Sequence, residues 1–432
     1  MTEASPTRGT PLKNFSKFFA LCLFSAAVTL SGCGGRPHGV LTAQQPQAPG
    51  TSRVEMLVAT TRSADGAAPG DLFTGERGNS LAFADIAVSI PPDAARRIGE
   101  VQWPSALPAD PGRDFVTLRA DPLSREEAIR RFDARIARTP KRQALVFVHG
   151  YNTLFAEAVY RFAQIVHDSG TGALPVLFTW PSRGRLLAYG YDHESASYSR
   201  DALEAVLQAL ARDRSVGEIS ILAHSMGNWA TLEALRQMAI RDKGLAPKIK
   251  TIMLAAPDVD FDVFRKQIAQ IDERRSLFTL FVSREDEALK ASRRVWGNEI
   301  RLGGVDPRQE PYRHTLEARH ISVVDLTDVK SGDPLGHGTF AEAPEIVRSI
   351  GQRLADGQTL SDSQSGVGDK FGQVAIGAAS AVGTAASMAV STPFAIVDPR
   401  TRENLSDRLE QFGSQLGDAA GAGADAVAQP LR

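Results

Sequence analysis

Along most of the chain, short apolar runs of strand length alternate with longer stretches whose apolar positions recur at helical spacing. Residues 54–60 (VEMLVAT) and 81–90 (LAFADIAVSI) read as strands joined by a Gly/Asp/Pro-rich connection, with a third strand expected at 114–118, all before any strong helical pattern. Ser124 followed by Glu127 has the spacing of a capping box and opens a charged helix expected to reach residue 138. From there the pattern becomes strand, helix, strand, helix. Strands are expected at 144–148 (ALVFV), 175–180 (PVLFTW), 219–223 (ISILA), 249–255, 276–282 and 321–326. Helices are expected at 154–168, 194–212, 226–241, 261–271 and 343–354. Such alternation predicts an α/β fold: a mostly parallel central sheet with helices on both faces and antiparallel leading strands. Ligands of such sheets bind at the carboxyl ends of the strands.

Both ends of the chain break this pattern. Lys13 and Lys17 precede the uncharged run 18–30 (FFALCLFSAAVTL), which is too short to span a bilayer and has the layout of a secretory signal. Leu30-Ser31-Gly32-Cys33 follows and resembles the lipobox of bacterial lipoproteins, which implies cleavage before Cys33 and lipid modification of that residue. The alternatives are an ordinary cleaved signal or a core helix. On the lipoprotein reading, residues 1–32 are the signal, 33–52 a flexible Gly/Pro/Gln-rich tether and 53–357 the body. Residues 358–432 then form an Ala/Gly-rich tail, and the protein is lipid-anchored in the bacterial envelope, facing the periplasm or the exterior. Within the tail, residues 371–397 carry no charge. Ala375, Ala379, Gly383 and Ser387 make a small-residue stripe that permits close packing on the body or in a membrane, with packing on the body or a loose tail favoured.

Composition narrows the function classes. With 49 Lys plus Arg against 50 Asp plus Glu, the net charge is −1, so no global attraction to nucleic acid is expected. The only cysteines, Cys22 and Cys33, both precede the body, which excludes a cysteine nucleophile or cysteine metal cluster there. No histidine spacing near the motifs described below suggests a metal, and no cofactor is expected.

Inspection of the expected strand ends singles out one site. ISILA runs directly into His224-Ser225-Met226-Gly227-Asn228 and then a helical pattern: strand, sharp turn with serine at its tip, helix. This arrangement resembles the nucleophile elbow of α/β-hydrolases, in the form AHSMG rather than GxSxG. Ala223 and Gly227 supply the small neighbours that such a turn needs. ALVFV ends in His149-Gly150-Tyr151-Asn152, SLFTLFV in Ser283-Arg284-Glu285-Asp286-Glu287, and the last strand is followed by Gly336-His337-Gly338.

Together with VEMLVATTR, LFTWPSRG, LAAPDVD and GHGTF, these phrases make residues 54–354 similar to the α/β-hydrolase superfamily, and more narrowly to an uncharacterised bacterial esterase/lipase-like branch of it. The resemblance implies Ser225 as nucleophile, His337 as base and Asp286 as acid, in the chain order of these hydrolases. Asp258 and then Glu285 are the alternative acids. Met226 and Tyr151 would supply the backbone N–H donors of an oxyanion hole. Hydrolysis of a carboxylic ester or related acyl bond is the expected activity, on an acyl-ester small molecule or lipid, with acyl transfer open through the same triad. The expectation from a different class is a non-catalytic envelope lipoprotein that uses the fold as an interaction scaffold. His149 and His224 read as structural. Trp180, Arg183 and Tyr189 are candidate substrate contacts, with Arg183 and Arg185 as either an anion site or a solvated loop. The stretch 296–319, without clear periodicity, is expected to be a cap over the site.

Overall fold

The computed structural model describes residues 38–44, 47–271 and 277–356. Nine strands form one sheet: β1 Ser52–Arg62, β2 Arg77–Ile90, β3 Val116–Leu123, β4 Gln143–Val148, β5 Leu174–Thr179, β6 Glu218–His224, β7 Ile249–Ala255, β8 Phe278–Val282 and β9 Ser322–Asp325. Their spatial order is β3-β2-β1-β5-β4-β6-β7-β8-β9. β1, β2 and β3 pair antiparallel, β1 joins β5 in parallel, and every later pair is parallel. The expected fold class is therefore the observed one. β4 and β5 are buried along their whole lengths, which is why they read as unbroken apolar runs rather than alternating patterns.

Helices cover both faces. On one side α1 (Arg125–Ile136), α4 (Arg200–Arg212), α5 (Gly227–Asp242), α6 (Phe261–Ile268) and α8 (Tyr312–Ala318) enclose a core that includes Phe132, Leu207, Leu235 and Phe264. On the other side α2 (Phe155–Ser169) and α10 (Pro344–Asp356) pack through Phe162, Ile346 and Ile350. The shorter α3 (Tyr189–Tyr198), α7 (Glu287–Val295) and α9 (Thr339–Glu342) lie in the connections that follow β5, β8 and β9. At α1 the capping box forms as its spacing predicts: the Glu127 N–H donates to Ser124 Oγ at 3.2 Å, and the Ser124 N–H to Glu127 Oε2 at 3.0 Å.

Several expectations need correction. The helix expected at 194–212 is two helices, beginning at Tyr189 and interrupted at Ser199, whose hydroxyl bonds Ser195 O at 2.7 Å and contacts Thr61 Oγ1 at 2.7 Å. The third strand runs later than 114–118, through Pro122, which an edge strand tolerates because its missing N–H has no ladder partner to lose. Residues 38–44 do not hang free as a tether: Val40 and Leu41 are buried against the α2 face, where Tyr160 donates its hydroxyl to Val40 O at 3.1 Å. The stretch 296–319 is no loose cap either. It contains α8, and Leu302 and Val305 are fully buried in the core. Cys33 and residues 371–397 lie outside the described residues, and no described helix is long and apolar enough to cross a membrane.

The seam between α10 and α2 makes a direct test of this packing. A Cβ at Gly351 would overlap the Ser169 carbonyl at the end of α2. Gly351→Ala is expected to lower stability by about 1–3 kcal/mol through overpacking, read as a reduced urea midpoint with unchanged slope.

Candidate active site

β6 ends at His224 and α5 begins at Gly227, leaving Ser225 at the tip of the turn with φ +52°. A non-glycine residue in this region is strained by about 1–3 kcal/mol and persists only where its surroundings over-determine it. They do so here. The Ser225 N–H donates to Ala255 O at 3.0 Å, and Ser225 O accepts from the Asn228 N–H (3.0 Å), Asn228 Nδ2 (2.9 Å) and the Asp258 N–H (3.3 Å). Asn228, which the sequence reading passed over, also donates Nδ2 to Ala255 O at 3.0 Å, so one amide ties the elbow to β7.

The elbow sits against the loop after β4. A Cβ at Gly227 would collide with the carbonyl oxygens of His149 and Val148, and one at Gly150 would stand 2.8 Å from Ser225 Cβ. Both glycines are thus required by close approach of backbones. The contact places Gly150-Tyr151 beside Ser225. The Tyr151 side chain turns away and donates its hydroxyl to Leu186 O.

Asp286 and His337 are brought together from the ends of β8 and β9. Asp286 caps α7, its Oδ1 accepting from the Leu289 N–H at 2.9 Å, while His337 Nδ1 lies 2.6 Å from its Oδ2. Both side chains are almost wholly buried. Burial alone would depress the His337 pKa, but the charge of Asp286 and its hydrogen bond outweigh burial and raise it above 6.5. With Nδ1–H donating to Asp286, the neutral ring carries its lone pair on Nε2. The His337 loop is held in turn by Asp333, whose Oδ2 accepts from the Gly338 N–H at 2.6 Å, and by His224, whose Nε2–H donates to His337 O at 3.2 Å. Burial, then the neighbouring His337, keeps the His224 pKa well below 6.5, so it acts as a neutral donor.

Asp258 is engaged elsewhere. Its Oδ1 accepts from Arg301 Nε (2.8 Å) and Ser292 Oγ (2.6 Å), and its Oδ2 from the Tyr189 hydroxyl (2.7 Å). Arg301 Nη2 also donates to Asp258 O at 3.0 Å. Glu285 pairs with Lys290 on the surface at 3.1 Å. Of the three carboxylates weighed from sequence, Asp286 is the one hydrogen-bonded to His337.

The candidate substrate contacts fare unevenly. Trp180 is fully buried, its ring stacked on His149 at 4.8 Å and its Nε1–H donating to His149 O at 2.8 Å, so it is a structural wedge and faces no substrate. Arg183 holds Glu76 through two bonds of 2.9 and 3.0 Å and lies 3.6 Å above the Tyr191 ring, so its charge is already matched. Tyr189 lies edge-on to Tyr151 at 5.0 Å and is bonded to Asp258 and Trp296. Arg62, at the end of β1, was not singled out, although a cation closing a buried apolar strand was the available signal. Among the described residues no group of three or more His, Cys, Asp or Glu could hold a metal ion.

A family model described as "alpha/beta hydrolase of unknown function (DUF900)" matches residues 124–353. The uncharacterised protein alr1448 of Nostoc sp. (strain PCC 7120) is 22% identical to this chain over a match that covers 53% of this chain and 78% of that protein. The family match starts at the N-cap of α1, so β1 to β3, including Arg62, lie before it.

The Asp258–Arg301 pair is 4–5% exposed, and removing one partner leaves a buried charge uncompensated. Asp258→Ala is expected to lower stability by about 3–5 kcal/mol, measured by denaturant unfolding; Glu285→Ala, on the surface, should change it by no more than about 0.5 kcal/mol.

Proposed function

The chain belongs to the alpha/beta hydrolases of unknown function, whose family model covers more than half of it, and from that premise we propose that it is a serine hydrolase cleaving carboxylic esters or related acyl bonds. The observation that carries this reading is Ser225 held at φ +52° on a strand–helix turn, together with the buried 2.6 Å Asp286–His337 bond. A serine hydroxyl is a weak nucleophile near neutral pH and needs a base. In the proposed reaction His337 Nε2 takes the Ser225 proton as Oγ attacks the acyl carbon. Asp286 keeps the proton on Nδ1 and stabilises the imidazolium. The tetrahedral oxyanion receives the N–H groups of Met226 and Tyr151 and the positive end of α5. Collapse expels the alcohol, protonated by His337. Water then repeats the sequence on the acyl-enzyme and restores Ser225.

We further propose that cleavage before Cys33 and its lipidation anchor the protein in a bacterial envelope membrane. Residues 34–39 separate that cysteine from the packed Val40. On this reading the catalytic body rides close to the bilayer, on a shorter stalk than the sequence suggested, within reach of acyl lipids.

A fluorophosphonate probe should label the full-length protein at Ser225. Ser225→Ala should abolish labelling, Asp286→Asn should slow ester turnover by about 10⁴-fold, and Asp258→Asn, which leaves the Asp286–His337 bond in place, should slow it far less. Failure of the folded wild-type protein to label would refute the hydrolase reading and favour the scaffold one.

The pH profile gives a second check. His337 must be unprotonated to act as base, so kcat/KM falls as pH drops through its raised pKa, and the acidic midpoint is expected above 6.5. Asp286→Asn removes the charge that raises it, so the midpoint should move to lower pH as the maximal rate falls.

A further inference from the structure

The carboxyl ends of β1, β4 and β5 meet around one buried cation. Arg62, the last residue of β1, is 1% exposed, and its guanidinium donates to three main-chain carbonyls: Thr153 O at 2.8 Å, Ser182 O at 2.9 Å and Thr74 O at 3.0 Å. Its Nη2 also lies 3.3 Å from His149 Nε2. Burial lowers the Arg62 pKa to about 10, opposed by the charges of Asp192 and Glu157, so the group stays protonated at neutral pH. Asp192, itself buried, accepts from Ser182 Oγ (2.6 Å), the Arg183 N–H (3.0 Å) and the Asn152 N–H (3.3 Å), which ties the same loops from the other side.

His149 is the group on which this cation acts. Its Nδ1 lies 2.8 Å from Gly150 O, and a carbonyl can only accept, so this contact requires the proton on Nδ1. At the other nitrogen two donors converge, the Trp180 N–H at 3.1 Å and Arg62 Nη2 at 3.3 Å. Trp180 O, 3.2 Å away, is the one contact there that favours a proton. A second proton is opposed first by burial and then by the guanidinium, which hold the His149 pKa well below 6.5.

The Gly150 carbonyl and the Tyr151 N–H belong to one planar trans peptide, in which C=O and N–H point in opposite directions. Fixing Gly150 O on His149 therefore fixes the direction of the Tyr151 N–H. We propose that Arg62 and His149 are positioning residues: Arg62 sets the Nδ1–H tautomer of His149, and His149 orients the Gly150–Tyr151 peptide so that its N–H meets the oxyanion beside Ser225. The inference rests on the serine-hydrolase reading and adds the device that pre-orients one of its two oxyanion donors. Such preorientation matters because a donor aimed before the reaction needs no reorganisation during it.

The tautomer is measurable directly on the full-length protein carrying ¹⁵N-histidine, with His149 assigned by the signal lost in His149→Gln. A protonated Nδ1 and bare Nε2 that persist to about pH 5, below the ordinary histidine range, are expected; an Nε2–H tautomer or a titrating ring overturns the proposal. The functional arm compares Arg62→Gln, which keeps an amide donor without the charge, with Arg62→Lys, which keeps the charge. For Arg62→Gln the expected result is a fall in kcat of about 10²–10³ with KM unchanged, partly restored in Arg62→Lys. A folded Arg62→Gln protein with wild-type kcat overturns the relay even if wild type labels at Ser225. If Arg62→Gln does not fold, the wild-type tautomer still decides. Absence of labelling in the wild type refutes the hydrolase reading itself, so the two failures are distinguishable.

Discussion

The site depends on a close approach of two backbones, the start of α5 against the loop after β4. Gly227 lies so near the His149 and Val148 carbonyls that no side chain fits, and Gly150 is pressed against Ser225 in the same way. This contact forces Ser225 into positive φ and sets the Tyr151 peptide beside it. The remaining features are arranged to hold that contact: Asn228 ties the elbow to β7, and the Asp258 N–H ties it to the next strand connection.

Buried charge supports the geometry on both sides. Beyond the elbow, Asp258 gathers Arg301, Ser292 and Tyr189 into a satisfied network and so joins the β7 connection, α7 and the segment opening α3. On the β4 side Arg62 gathers three carbonyls from three separate connections. Each is expensive to bury alone; Asp258 and both terminal nitrogens of Arg62 are compensated by hydrogen bonds, while Arg62 Nε has no partner among the described residues. Both therefore specify one arrangement of loops that would otherwise be loose, and rigid loops are what the proposed oxyanion site needs.

Much of this was legible in the chain. The leading strands come before any strong helical pattern and the later ones alternate with helices, which separated the antiparallel strands from the parallel ones, because parallel neighbours need a crossover connection between them. The elbow was legible because a serine between a strand and a helix, with small residues at 223 and 227, meets a steric demand that acts within five residues. Element ends were less so. The break at Ser199 depends on a hydroxyl reaching Thr61, far away in sequence, and the burial of Val40 and Leu41 depends on a face of α2 that no local pattern reveals.

The reading of Trp180 and Arg183 was limited for the same reason. Next to a strand end, an aromatic or a cation reads as a substrate contact until its partner is known, and here the partners are His149 and Glu76. What the sequence by itself determined is the order of strands and helices, the serine turn and the set of polar groups delivered to the strand ends, since these follow from periodicity and local sterics. Only the tertiary structure decided which carboxylate meets His337 and which cation stands behind His149. Asp258 and Asp286 are chemically alike and both follow strands. They differ because Arg301 reaches one and His337 the other, across 43 and 51 residues of chain.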